Sequence, residues 1–154
     1  MPKFATERNV KHSADAMFAL VADVERYPEF VPLCERLIVR TRQAADDGRE
    51  TLIADMTVGF KAIRETFTTR VVLDRPGLVI DSQYLEGPFR HLDSRWTFAR
   101  DGPEACTVRF AIDYEFKSRI LAAIMGAAFE TMFARMAKAF EARADAVYGA
   151  KARA

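Results

Sequence analysis

The chain has 154 residues, half of them apolar and 29% charged, with 23 basic against 22 acidic side chains and a formal charge of +1. That is about one domain's length, enough to bury roughly 70% of the unfolded surface without disulfides or metals. The near-neutral balance excludes DNA binding through a basic excess, and the apolar content excludes a disordered chain.

Residues 4–11 read as a short strand. Ser13 reads as the N-cap of a helix from Ala14 to Val24, with Met17, Phe18, Leu20, Val21 and Val24 at helical spacing. Pro28 and Pro32 end it, leaving room for one further helical turn. From Glu35 to Lys117 the period becomes two. Leu37-Ile38-Val39 opens a strand that turns at Asp46-Asp47-Gly48. Leu52, Ala54, Met56, Val58 and Phe60 then form one strand's dry side, and Ile63, Glu65, Phe67, Thr69, Val71 and Leu73 the next. Residues 78–86 follow as a strand after Pro76-Gly77. Leu92, Ser94, Trp96 and Phe98 alternate with polar neighbours, as do Val108, Phe110, Ile112, Tyr114 and Phe116. This predicts an antiparallel meander with one wet and one dry face. The dry face needs a cover. Residues 119–148 supply it as a proline-free helix of about 45 Å, with a broad apolar stripe that includes positions 121, 124, 125, 128, 129, 132, 133, 136, 140 and 147. The predicted class is α+β, a curved antiparallel sheet wrapped around a long C-terminal helix, in one domain over residues 1–154.

Twelve Phe and six Met are the compositional surplus, and it fits a filled core or the wall of a hollow equally well. Cys34 and Cys106 lie in no CxxC or Cys/His cluster, so the sequence offers no zinc motif and reads as two free thiols in a reducing compartment. The stretch Met1-Pro2-Lys3-Phe4-Ala5-Thr6-Glu7-Arg8 lacks the apolar core of a secretory signal. The longest charge-free apolar run, Ile120 to Phe129, is ten residues, short of the about 18 that a membrane span needs. A cytoplasmic protein is expected, peripheral at the inner membrane at most.

Several segments resemble one family. Val24-Glu25-Arg26-Tyr27-Pro28-Glu29-Phe30-Val31-Pro32-Leu33-Cys34 is similar to its V-x-x-Y-P-x-F-x-P-x-C signature, with Leu33 where many relatives carry an aromatic. Thr57-Val58-Gly59-Phe60-Lys61 resembles its VGF strand end, and Leu85 to Leu92 with Trp96 and Phe98 resembles its GPF-x-x-L-x-x-x-W-x-F block. Asp113-Tyr114-Glu115-Phe116 leads into the last helix as in the family. The chain is thus similar, over nearly its whole length, to the coenzyme-Q-binding START-domain proteins (polyketide cyclase/dehydrase-like) and their bacterial ribosome-association toxin relatives. The resemblance implies the helix-grip fold of START and birch-pollen-allergen proteins. It implies a hydrophobic ligand, ubiquinone, carried or chaperoned for respiration with no required cofactor. The alternative is binding to the large ribosomal subunit as an inhibitor of subunit association, the toxin of a toxin–antitoxin pair.

The expected ligand wall is Phe60, Phe67, Tyr84, Phe89, Trp96 and Phe116 from the strands, with Met125, Phe129, Met132, Phe133 and Met136 from the last helix. Apolar rings bury a polyisoprenoid tail and Met adapts to irregular shapes; Trp96 and Tyr84 offer donors to quinone carbonyls. Glu86-Gly87-Pro88-Phe89 reads as a turn or a lid. Phe30 and Val31 read as a membrane-dipping tip or a plug. Glu65, on a dry strand face, should be paired, at a strand end or functional; an ion pair with an Arg of another strand, such as Arg95, is the favoured reading. Arg36, Arg40 and Arg42 on one strand side, with Arg135, Lys138 and Arg143 on the tail, form a basic stripe for rRNA or anionic lipid. No nucleophile elbow, P-loop or HExxH motif occurs. A cyclase-type role for His91 in the groove is the minor enzymatic option.

Overall fold

A computed structural model describes residues 3–149. Met1 and Pro2 of the stretch read as lacking a signal, and the last five residues of the expected 1–154 domain, lie outside the described residues. The elements run β1 (Lys3–Val10), α1 (Ala14–Ala22), a 3₁₀ segment (Val24–Glu29), β2 (Cys34–Ala44), β3 (Arg49–Phe60), β4 (Ile63–Asp74), β5 (Val79–Glu86), β6 (Phe89–Arg100), β7 (Cys106–Phe116) and α2 (Arg119–Tyr148). The seven strands form one antiparallel sheet in the order β1-β7-β6-β5-β4-β3-β2. This is the helix-grip arrangement that the sequence predicted.

Ser13 caps α1, its hydroxyl accepting the Ala16 N–H at 3.0 Å. The helix stops at Ala22, two residues short of the expected Val24, because Asp23 leaves helical geometry (φ −82°, ψ 67°). The chain resumes as the 3₁₀ segment, which tolerates Pro28. Ser118 caps α2 through the Leu121 N–H at 3.1 Å. Along α2 the buried side chains include Met125, Phe129, Met132, Phe133, Met136 and Phe140, the stripe that covers the concave face. Ile124 and Val147, expected on that stripe, are instead 43% and 53% exposed. By length and composition α2 would also pass for a membrane span, but its large apolar side chains between Met125 and Phe140 pack on the sheet.

The C-terminal half of α2 is tied down on several sides. Tyr27 and Phe30 set their rings on Phe140, with centroids 5.3 and 5.0 Å away. Phe30 and buried Val31 therefore plug this end of the fold. Arg143 reaches Glu29 at 2.6 Å and covers the Phe30 ring, so it does not belong to the expected basic stripe. Arg8 pairs with Glu141, and buried His12 with Asp145 at 2.7 Å. The first turns of α2 have less cover, with Ile120 75% exposed.

Two bulges correct the expected strand faces. A register shift between Val39 and Thr41 places Arg42 opposite Leu52, on the concave side of the sheet, where it meets Glu25 at 3.1 Å and Glu50 at 3.4 Å. Arg42 thus does not share the outer side of Arg36 and Arg40. A second shift between Phe89 and His91 leaves His91 on the outer face, bonded to Asp113 at 2.9 Å and outside the groove. The expected Glu65–Arg95 pair does not form. Arg95 points outward to Asp81 at 2.7 Å, while Glu65, the third residue of β4, sits beside the β3–β4 turn and is only partly buried.

The β5–β6 turn depends on Gly87, at φ +144°. A Cβ there would lie 2.6 Å from the Cβ of Phe67 and 3.0 Å from its Cα. Gly102 shares the unusual φ, +136°, but has nothing within 4 Å. Gly87→Ala is expected to destabilise the protein by about 2–3 kcal/mol, since strain and clash act together. Gly102→Ala should cost about 1 kcal/mol from backbone strain alone. Thermal denaturation of both variants by circular dichroism measures the difference, and equal losses would show that the contact on Phe67 does not matter.

Hydrogen bonds from Arg26 and then Arg143 hold the Glu29 carboxyl below its ordinary 4.5. Its folded form therefore gives up a proton more readily than its unfolded form. The stability it adds is complete above about pH 4.5 and is lost as pH falls through the lowered value. Glu29→Gln should slightly lower Tm at pH 7 and leave it nearly unchanged at pH 3, relative to the parent protein. A pH series of melting curves checks this sign.

Candidate ligand cavity

The aromatic surplus sorts into two groups on the concave side. At one end Phe89, only 1% exposed, has Phe67, Phe116 and Phe129 around it at 5.3, 4.8 and 5.8 Å between centroids. At the other end Trp96 contacts Phe110 at 4.5 Å and Phe140 at 5.1 Å. Phe133 links the two, 6.1 Å from Phe110 and 5.3 Å from Tyr114.

Between these groups the sheet presents small side chains: Ala54 of β3, Thr69 of β4, Ser82 of β5 and Ser94 of β6. The register puts them side by side, with Ala54 opposite Thr69 and Ser82 opposite Ser94. Rings cannot close over so shallow a stretch of wall. The result is a cavity of about 90 Å³ between sheet and α2. Of the expected wall, Phe67, Trp96, Phe129, Met132, Phe133 and Met136 line it. Phe89, Phe116 and Met125 are buried outside the lining. Tyr84 is half-buried, and its hydroxyl accepts the Phe89 N–H at 3.0 Å, closing the β5–β6 turn. With Phe89 inserted into the core, that turn is an anchor. Phe60 sits at the far end of β3, half-buried beneath the Lys61 ammonium.

Sequence reasoning missed Tyr27, Leu37, Met56 and Val71 as lining residues. Tyr27 carried a signal in its proline-flanked motif, but Leu37 reaches the cavity through a bulged strand that no periodicity announces. The Tyr27 hydroxyl donates to the Val21 carbonyl at 2.5 Å, and burial pushes its pKa well above the ordinary range. Its proton is fixed, so the phenol adds surface to the site and no acid or base. Burial also pushes the Cys34 and Cys106 thiols up to about 11. Both stay protonated at neutral pH and act as packing.

Lys3, Arg49, Asp74, Asp81 and Arg95 line a larger concavity, about 1120 Å³, on the outer face of the sheet. These charges pair locally, Arg95 with Asp81, Arg49 with Asp74 and Lys3 with Asp113. That open, self-neutralised saddle offers nothing to a hydrocarbon, whereas the interior cavity does. Leu33, where the family resemblance implies an aromatic, has φ +65° and its carbonyl accepts the Gly59 N–H at 3.0 Å. It does not line the cavity.

Comparison with known proteins agrees with this geometry. The family described as polyketide cyclase / dehydrase and lipid transport matches residues 10–141. The ribosome association toxin RatA of Escherichia coli K12 is 33% identical, over 98% of this chain and 92% of its own length. The mitochondrial coenzyme Q-binding protein COQ10 of Drosophila melanogaster is 32% identical over 85% of this chain, which spans only 53% of that protein. The solution structure of the 18 kDa protein CC1736 from Caulobacter crescentus superposes with a TM-score of 0.79 at 34% identity, covering 97% of this chain and 100% of that one. The Zhui aromatase/cyclase of Streptomyces sp. R1128 shares the fold alone, with a TM-score of 0.79 at 18% identity over 94% of this chain and 93% of its own. A profile that spans most of the chain, and relatives sharing a third of its residues along nearly all of it, place the chain in the polyketide cyclase/dehydrase and lipid transport family.

Proposed function

We propose that this protein binds a long apolar ligand with an oxygen-bearing head, ubiquinone, between the sheet and α2, and serves respiration as its carrier or chaperone. The observation that carries the reading is the cavity itself, an apolar gap roofed by Phe129, Met132, Phe133 and Met136 and left open by small residues on four strands. About 90 Å³ is below the roughly 300–1,000 Å³ of a settled small-molecule site. The head therefore enters by displacing side chains. Met56, Met132 and Met136 suit this, being unbranched and readily repacked. The name of the Drosophila relative supports the choice of ligand. Ile120 and Ile124, exposed on the lightly covered first turns of α2, are the apolar side chains this reading would set against a membrane surface.

A second reading, inhibition of ribosomal subunit association, is favoured by the relatives named ribosome association toxin. Its contact surface would be the outside of the fold. There Arg40 is neutralised by Asp55, and Arg42 is turned to the concave side against Glu25 and Glu50; of the basic stripe, Arg36, Arg135 and Lys138 stay exposed on the outside.

Protein purified from its own host and extracted with organic solvent should yield a quinone by mass spectrometry, and added short-chain ubiquinone should quench Trp96, the one tryptophan. An extract free of quinone and other lipid, with Trp96 emission unchanged by added quinone, would remove the ligand reading. On the second reading the protein co-sediments with large subunits at low salt and is released as salt rises. A gradient with no shift at low salt removes that one.

A further inference from the structure

The cavity is not apolar throughout. Thr69, Ser82 and Ser94 bring hydroxyls into its wall from three adjacent strands. Ser82 and Ser94 are directly opposed, and Ser82 also faces Val71, two residues from Thr69. Opposed residues in an antiparallel pair hold their Cβ atoms about 4.5–5.5 Å apart, close enough for both hydroxyls to converge on one oxygen or on two neighbouring ones. Among the described residues none of the three hydroxyls is paired with a side chain or a backbone group. By contrast, Thr57, Thr66, Thr68 and Thr107 elsewhere on this sheet all spend their hydroxyls on side chains at 2.6–2.9 Å. These hydroxyls are not sealed off, since the fully buried side-chain atoms without a partner among the described residues are His12 Nδ1 and Arg143 Nε; on the cavity wall their bonding capacity is open to water or to a guest's oxygen.

We propose that Thr69, Ser82 and Ser94 form a hydrogen-bonding floor for the oxygen-bearing ring of the ligand; this rests on the ligand reading above. The class of molecule it fits is a ring with adjacent carbonyl or ether oxygens and a hydrocarbon tail. A hydroxyl both donates and accepts. The floor donates to the carbonyls of a quinone and accepts from the hydroxyls of the corresponding quinol, so it holds either oxidation state without taking part in electron transfer. Trp96 and the α2 rings pack the ring's faces and the tail, and the three hydroxyls set which end of the ligand goes inward.

The test compares two probes by isothermal titration calorimetry: ubiquinone with a single isoprene unit, and hexylbenzene, which has the hydrocarbon but no oxygen. A lost hydrogen bond lowers affinity about fivefold. Ser82→Ala/Ser94→Ala should weaken the quinone about 25-fold and leave hexylbenzene unchanged or tighter. Thr69→Val removes a hydroxyl while keeping side-chain shape and should weaken only the quinone, about fivefold; it carries the test if the serine pair fails to fold. Parent protein that binds both probes, with variants that lose neither or lose both equally, overturns the floor and leaves the ligand reading standing. Parent protein that binds neither probe overturns the ligand reading itself.

Discussion

A sheet that is dry on one side has to be covered, and in this chain one helix carries most of that burden. The buried stripe of α2 from Met125 to Phe140 faces strands that present Phe67, Phe89, Trp96, Phe110 and Tyr114. Each such side chain contributes roughly 1.5–3 kcal/mol when taken from water, so the sheet and α2 stabilise each other. The rest of the structure follows from keeping α2 in place. The β1–α1 connection, through His12, and the 3₁₀ segment with the residue that follows it, through Tyr27, Glu29 and Phe30, clamp its C-terminal half. The first turns, with Ile120 and Ile124 in solvent, have no comparable clamp. A helix held at one end and lightly covered at the other opens most cheaply at the covered-least end.

Much of this architecture was legible from periodicity. Strict alternation from Val108 to Phe116 gave β7, and the proline-free apolar stripe gave α2 with both ends in place. What stayed hidden depends on contacts between distant parts of the chain. A bulge adds one residue to one strand and reverses every later side chain. For that reason Arg42, although it alternates with Arg40 in sequence, turns to the concave side. His91 lies beyond a second bulge and faces solvent rather than the groove. The cavity is less legible still. Large residues mark a wall in sequence, but a hollow is made by small ones, and Ala54, Thr69, Ser82 and Ser94 mean nothing until four strands place them side by side. Hence Phe67, Trp96 and the α2 residues could be foreseen, and the gap between them could not.

That gap also recasts the meaning of the Phe and Met surplus. The rings of Phe89, Phe116 and Phe129 are packed edge and face against one another, as in an ordinary core. The Met side chains are placed differently, with Met56, Met132 and Met136 on the cavity and only Met17 and Met125 wholly enclosed elsewhere among the described residues. Rigid rings bound the cavity at its two ends, and unbranched, readily repacked thioethers line it between them. Forcing extra volume into a packed interior costs about 1–3 kcal/mol. One isoprene unit has five carbons, and at about 0.8 kcal/mol per buried carbon group it returns about 4 kcal/mol. One or two units of a polyisoprenoid tail therefore outweigh the repacking, whereas a bare polar ring does not. On these magnitudes a nearly closed cavity is the expected resting state of a site for a long apolar ligand: it opens only for a guest with enough hydrocarbon to hold it open.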